Sequence, residues 1–144
     1  MTSKLAKKIQ TIVSDLKSQP VSNQFRKRAT EGQLTRDENP QTHFCVYFAA
    51  CDPKAKRVFL GNHKKSGLWL FNGGHIDEGE TPNEALAREI SEEWGIKTFK
   101  PKQKLLEEEF SQTSWLTISE ARKLVSDPNT LVGLTEFEKV FKKQ

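Results

Sequence analysis

Leu5, Ile9, Ile12, Val13 and Leu16 recur at the three-and-four spacing of an amphipathic helix. Lysines fill much of the opposite face, and Pro20 stops the run. Such a helix buries its apolar stripe on the following domain or on a second subunit. It lacks aromatic residues, which makes it a weak candidate for a membrane surface. Residues 21–41 carry no such period. They are polar, with Arg26-Lys27-Arg28, Gly32 and Pro40, and read as a linker with little regular structure. Internal repeats and low-complexity tracts are absent from the chain.

From His43 to Cys51 the pattern changes to a run dense in aromatic and β-branched residues, which predicts a strand buried on both faces. Asp52 to Lys56 reads as a turn and Arg57 to Gly61 as a second strand, so the two make a hairpin. Gly67 to Phe71 is a short third strand, ending at Asn72-Gly73-Gly74. The next helix is well marked: Thr81 and Glu84 form a capping box, Pro82 takes the first helical position, and Gly95 stops the helix after Trp94. Ile96 to Lys100 is a short strand candidate, followed by a charged stretch to Phe110. Thr117 and Glu120 offer a second capping box, opening a helix to about Val125. A final amphipathic helix spans Thr130 to Phe141, with Leu131, Leu134, Phe137, Val140 and Phe141 on one face. The reading divides the chain into an N-terminal helix and polar linker, residues 1–41, and one α/β domain, residues 42–144.

A chain of 144 residues fits one domain with a modest core. The hydrophobic share of 35% and charged share of 29% exclude neither globularity nor solubility, but no apolar run reaches the length of a membrane span. The N-terminus, MTSKLAKKIQ, has no signal-peptide apolar core, so a cytoplasmic location follows by default. A net charge of +4 favours anionic partners such as nucleotides or RNA, although a lysine-rich soluble surface accounts for it equally well. Cys45 and Cys51 form no CxxC pair and read as free thiols of a reducing compartment. His43, His63 and His75 lack metal-ligand spacing and read as structural or surface residues. Trp69 and Phe71 precede the glycine-rich loop and are candidates to stack on a base, with core packing the stronger reading for at least one. Arg26-Lys27-Arg28 and Lys97, Lys100, Lys102 and Lys104 read as a solvated basic face, ahead of a phosphate-binding one.

The acids of the central helix are the candidates for chemistry. On a wheel of about 100° per residue, Leu86, Ile90 and Trp94 form an apolar stripe, Glu93 falls at its core-facing edge, Glu89 lies next to it and Glu92 further round. An ordinary surface helix places its acids opposite the stripe. Two like charges about 4 Å apart repel by roughly 4 kcal/mol at an effective dielectric of 20, and burial adds desolvation. A divalent cation removes both costs, and oxygen-only ligands suit Mg²⁺ or Mn²⁺ rather than zinc. The competing reading is salt bridging: Arg88 is one turn from both Glu84 and Glu92. The loop from Phe71 to Glu80 favours the cation, because its three glycines allow close backbone approach and can return Glu80 and a glycine carbonyl toward the helix.

The run GHIDEGETPNEALAREISEEWGI, Gly74 to Ile96, resembles the Nudix box, G-x5-E-x7-R-E-U-x-E-E-x-G-U with U a bulky aliphatic residue. Gly74, Glu80, Arg88, Glu89, Ile90, Glu92, Glu93, Gly95 and Ile96 all match. The resemblance implies an α/β/α sandwich with a mixed sheet and Mg²⁺-dependent (or Mn²⁺-dependent) hydrolysis of a nucleoside diphosphate derivative. It implies that Glu92 and Glu93 are the main metal ligands, that Glu89 binds metal or acts as general base, and that Glu80 and Arg88 position the catalytic helix. The Gly73 carbonyl is a further ligand candidate. The expected partner is a nucleotide-type small molecule, with RNA ranked behind it and no membrane.

Two departures accompany the match. Asn72 stands where many family members have proline, a change read as altering loop stiffness only. The family also places further strands between the box and the closing helix, whereas here only Lys97 to Ser114 are available. Glu107, Glu108 and Glu109 in that segment are candidates for an extra acidic ligand or base, without a definite place. A shortened sheet leaves open a homodimer that completes it, and a Nudix-fold module that binds a nucleotide or RNA end without turnover.

Overall fold

The computed structural model describes residues 3–15, 20–95 and 110–143. They group into two compact units, one built from the stretches 1–46 and 73–89, the other from 47–72 and 90–144.

In the first unit, helix α1 spans Lys4–Ser14, and Ser3 caps it by accepting the Ala6 N–H at 3.0 Å. Leu5, Ala6, Ile9 and Val13 are buried, whereas Ile12 faces solvent; Leu16 lies outside the described residues. The stripe packs on the domain, in a core with Ala29, Leu34, Val46, Ile76 and Ala85. The first half of the segment expected to be a linker with little regular structure instead forms helix α2, Pro20–Glu31. Among its described side chains the buried ones are Ser22 and Ala29, residues too small and polar to show as hydrophobic periodicity. Gly32 ends it with φ of 84°, its N–H returning to the Arg28 carbonyl at 3.1 Å. The basic run has a local use. Arg26 donates to the Val13 carbonyl at 3.1 Å, and Arg28 donates to the carbonyls of Gln33 and Thr42 at 2.8 and 2.7 Å.

The expected strand from His43 to Cys51 divides in two. Strand β1 is Cys45–Phe48 and β2 is Cys51–Asp52. The chain changes sheets at Ala49 and Ala50, and Tyr47 is 49% exposed, so β1 is not buried on both faces. Strand β3, Arg57–His63, is the spine of the second unit; β4 is Trp69–Leu70. Asn72–His75, expected in a loop, is strand β5 and pairs with β1. Glycines hide that strand from any side-chain alternation. Helix α3, Pro82–Trp94, has the expected ends.

After it, residues 96–109 lie outside the described residues, including the Ile96–Lys100 strand candidate and Glu107 to Glu109. An eight-residue strand, β6, Phe110–Thr117, nonetheless begins in the short segment and runs past its end at Ser114. It lies antiparallel along the whole of β3, from Arg57 opposite Thr117 to His63 opposite Phe110. Strands β2 and β4 also pair antiparallel with β3. Thr117 and Glu120 make the expected capping box for helix α4, Ile118–Leu124. Helix α5, Pro128–Lys142, is capped by Asp127 and buries Leu134 and Phe141. Val140 is 48% exposed, off the apolar face assigned to it from the sequence. The core of this unit joins Val58, Leu60, Phe71, Ala121, Val125, Leu134 and Phe141. The class is α/β, as the pattern indicated. Among the described residues no helix is long and apolar enough to cross a membrane.

Gly61 is required by packing. A Cβ there would lie 2.3 Å from the Phe110 ring. Gly61→Ala is expected to cost about 1–3 kcal/mol, read as a lowered urea midpoint with an unchanged slope. A wild-type midpoint would show that the ring moves aside freely.

Candidate active site

Helix α3 is set at both ends by local hydrogen bonds. The Thr81 N–H and hydroxyl both donate to Glu84 at 2.7 Å, and the Glu84 N–H returns to the Thr81 hydroxyl at 3.3 Å. Lys4 adds a contact to Glu84 at 3.0 Å. The Thr81 hydroxyl, its N–H and then Lys4 hold the Glu84 carboxyl down to about 2. Glu84 is thus engaged by Thr81 and Lys4 in place of the bridge to Arg88 considered from the sequence. Gly95 closes the helix at φ of 61°, its N–H on the Ser91 carbonyl. Of the apolar stripe, Leu86 packs on the first unit's core beside a fully buried Ala85. Trp94 is 8% exposed and meets Phe48 and Phe59 edge-on, and Ile90 is half-buried.

Arg88 is the hub of the first unit's polar network. Its Nε and Nη2 fork onto the two oxygens of Glu80 at 2.8 and 2.9 Å, and its Nη1 donates to Glu89 at 2.7 Å. Nη2 also reaches the His75 carbonyl at 2.9 Å and lies 3.5 Å from Asp77. A two-pronged guanidinium contact of this kind fixes direction as well as charge. The Arg88 hydrogen bond, ahead of all other causes, holds the Glu80 carboxyl below its ordinary range, and the same contact raises Arg88. Glu89 is aimed by a second constraint: a Cβ on Gly74 would sit 2.1 Å from its carboxylate. The glycine at the head of the motif is therefore the space that Glu89 occupies.

The lowered Glu80 value has a defined pH consequence. A depressed carboxylate stabilises the fold fully above its unfolded pKa, near 4.5, and that stability is lost as pH falls through the folded value. Unfolding free energy measured by urea from neutral pH downward should therefore fall below about pH 4.5 less steeply in Arg88→Gln than in wild type. Equal slopes would show that the pair contributes nothing.

In the second unit, Asn72 is 1% exposed and donates its Nδ2 to Glu93, itself 9% exposed. The Asn72 Oδ1 is buried without a hydrogen-bond partner among the described residues. A buried carboxylate beside an orphaned carbonyl oxygen is an oxygen-only donor set, of the kind that a hard divalent cation fits. Asn72 thus does more than alter loop stiffness: it holds Glu93. Glu92 is exposed on the same helix, and Gly73 lies in β5.

Some placements were not readable from the sequence. His43 and His75, assigned structural or surface roles, meet at 2.8 Å between Nε2 and Nδ1, and the Cys45 thiol lies 3.5 Å from His75 Nδ1. The two-residue offset between His43 and Cys45, same-face spacing in a strand, was the available signal. Burial, with the charge of Glu89 next, pushes the Cys45 thiol up. Burial, with His43 next, pushes His75 down. His63 holds a turn through Ser66, and both cysteines are free. Phe71 is buried and packs on Phe137, so its role is core, while Trp69 is half-buried. A cavity of about 220 Å³ lined by Tyr47, Phe48, Phe71 and Phe137 offers the second unit's aromatic surface. Lys97, Lys100, Lys102 and Lys104 lie outside the described residues.

Comparison with known proteins gives a consistent result. The family model described as NUDIX domain matches residues 41–126. An RNA pyrophosphohydrolase of Francisella tularensis subsp. mediasiatica is 43% identical over 44 residues, 31% of this chain and 28% of that protein. An RNA pyrophosphohydrolase of Helicobacter pylori is 52% identical over 44 residues, 30% of this chain and 28% of that protein. An 8-oxo-dGTP diphosphatase of Proteus vulgaris is 42% identical over 50 residues, 32% of this chain and 44% of that protein. The matched stretch spans less than half the length of each of these relatives.

Proposed function

The chain belongs to the Nudix family, and from that premise we propose that it is a metal-dependent hydrolase that cleaves the diphosphate linkage of a nucleotide or nucleoside diphosphate derivative with water. The observation that carries this reading is the buried pair of Glu93 and Asn72, whose spare oxygen has no donor among the described residues. Glu89, Glu92 and Glu93, all on α3, with the Gly73 carbonyl, would hold Mg²⁺ or Mn²⁺. When bound, the cation neutralises diphosphate charge and lowers the pKa of water. Asn72 keeps the Glu93 carboxylate in one orientation. Arg88, anchored by Glu80 and the His75 carbonyl, keeps one Glu89 oxygen engaged and leaves the other to accept a proton from water. Glu80 and Arg88 are positioning residues on this reading.

The substrate class is supported by the phosphate chemistry and by the relatives' names, which refer to RNA and to 8-oxo-dGTP. A nucleotide phosphoanhydride is common to both. The exposed Tyr47 at the rim of the aromatic cavity supports a base-bearing substrate. Free thiols at Cys45 and Cys51 suit a reducing, cytoplasmic compartment. Strand β6 has no described partner on its outer edge, which keeps a homodimer within the proposal. The deciding experiment is phosphate and pyrophosphate release from a panel of nucleoside triphosphates, nucleoside diphosphate derivatives and 5′-triphosphorylated RNA, with Mg²⁺ and with EDTA. Release that requires Mg²⁺ is expected. Tight binding of the same compounds without release at any metal concentration would replace the enzyme by a binding module.

A further inference from the structure

His43, Cys45 and His75 all belong to the first unit and offer three ligand atoms within 4.8 Å of one another. We propose that they form a second metal site, for a borderline-soft divalent ion of the Zn²⁺ type, chemically distinct from the oxygen-only set on α3.

The geometry comes close to what such an ion demands. Tetrahedral zinc takes nitrogen at about 2.0–2.1 Å and thiolate sulfur at about 2.3 Å, which sets ligand atoms roughly 3.4–3.6 Å apart. Cys45 Sγ and His75 Nδ1 already stand at 3.5 Å. His43 Nε2 and His75 Nδ1 are hydrogen-bonded at 2.8 Å, so the ion would replace that proton and part the rings by about half an ångström. His43 is already oriented for the task. Its Nδ1 faces the Asn39 carbonyl at 3.0 Å, which keeps the proton on Nδ1 and directs the Nε2 lone pair inward, as outer hydrogen bonds do for metal-ligating imidazoles.

The supports are short. His43 lies just before β1, Cys45 opens β1, and His75 ends β5, the strand paired with β1. A strand ladder therefore sets the spacing of sulfur and imidazole. The three residues are half-buried, partly screened from water yet reachable by an ion. One thiolate and two imidazoles select Zn²⁺ over Mg²⁺ by softness, and they leave a fourth position for water. Binding releases the thiol proton to solvent. His75 lies within the motif, but the site shares no ligand with the set on α3: Gly74 separates His75 from Gly73, and Arg88 touches His75 only at its carbonyl.

The test is a Co²⁺ titration of the full chain under reducing conditions with Mg²⁺ in large excess, followed by absorption. Sulfur-to-cobalt charge transfer reports a thiolate ligand, and the α3 glutamates cannot produce it, so the outcome is independent of whether any nucleotide is hydrolysed. One equivalent of Co²⁺ is expected to give that band, and Zn²⁺ to abolish it. Cys45→Ser should lose the band and Cys51→Ser keep it. His43→Gln, which leaves the thiol in place, should weaken Co²⁺ binding at least about tenfold. No charge-transfer band in wild type, or an undiminished one in Cys45→Ser, would reduce the cluster to a hydrogen-bonded histidine pair beside a thiol. Should Cys45→Ser fail to fold, Co²⁺ binding by His43→Gln as tight as wild type overturns the site in its place.

Discussion

Glu93→Gln is expected to lower Mg²⁺-dependent turnover by about 100-fold or more, the range for loss of a general base or comparable catalytic carboxylate, while leaving the melting temperature unchanged or raised. The pairing with Asn72 explains the split. In the wild type the Asn72 amide donates to Glu93 and its own oxygen has no donor among the described residues. A glutamine at 93 can accept the same hydrogen bond and return one to Asn72 Oδ1, which satisfies a buried acceptor worth about 1–3 kcal/mol when left unpaired. Chemistry and stability should therefore separate. Thermal melts and nucleotide turnover of the purified variant, with and without Mg²⁺, check this. A variant that unfolds outright would make Glu93 a structural partner, and full activity would remove it from the mechanism.

Arg88→Ala should behave in the opposite way, losing stability and activity together. Truncation strands Glu80 and Glu89, whose side chains are 21% and 12% exposed, and frees the His75 carbonyl. Removing one partner of a buried pair costs about 3–5 kcal/mol; with Arg88 itself 26% exposed, about 2–3 kcal/mol is the better expectation, again by analogy with buried pairs. For a chain of this size that lowers the melting temperature by roughly 5–10 °C. Arg88→Lys keeps the charge but not the fork, and should recover part of the stability with less of the turnover. If Arg88→Ala melts like wild type, the network is a surface ion pair without structural weight.

What the sequence revealed and what it concealed divide along range. Helix α3 was legible to the residue, because Thr81, Pro82, Glu84 and Gly95 are signals read within a few positions. The capping box of α4 was legible for the same reason. The ordering of Glu93, Glu89 and Glu92 by depth also came through, since a wheel needs only helix geometry: Glu93 is buried, Glu89 half-buried and Glu92 exposed. Helix α2 was missed because it buries a serine and an alanine. Strand β5 was missed because two of its four residues are glycine. The partnership of Asn72 with Glu93, and that of His43 and Cys45 with His75, join residues far apart in the chain. Local pattern carries no information about such pairs.

The packing of Trp94 supplies an optical handle. Its ring sits between Phe48 and Phe59, its Nε1 is buried without a partner among the described residues, and it follows Glu93 directly. The two other tryptophans, Trp69 and Trp115, are more exposed. Emission from a dry, aromatic-walled indole stands apart at the blue edge of the spectrum from that of wet ones. The chain therefore carries a spectrally distinct indole one residue from a proposed metal-binding carboxylate, and a change in its emission on adding Mg²⁺ is a dye-free test of that binding in stopped flow.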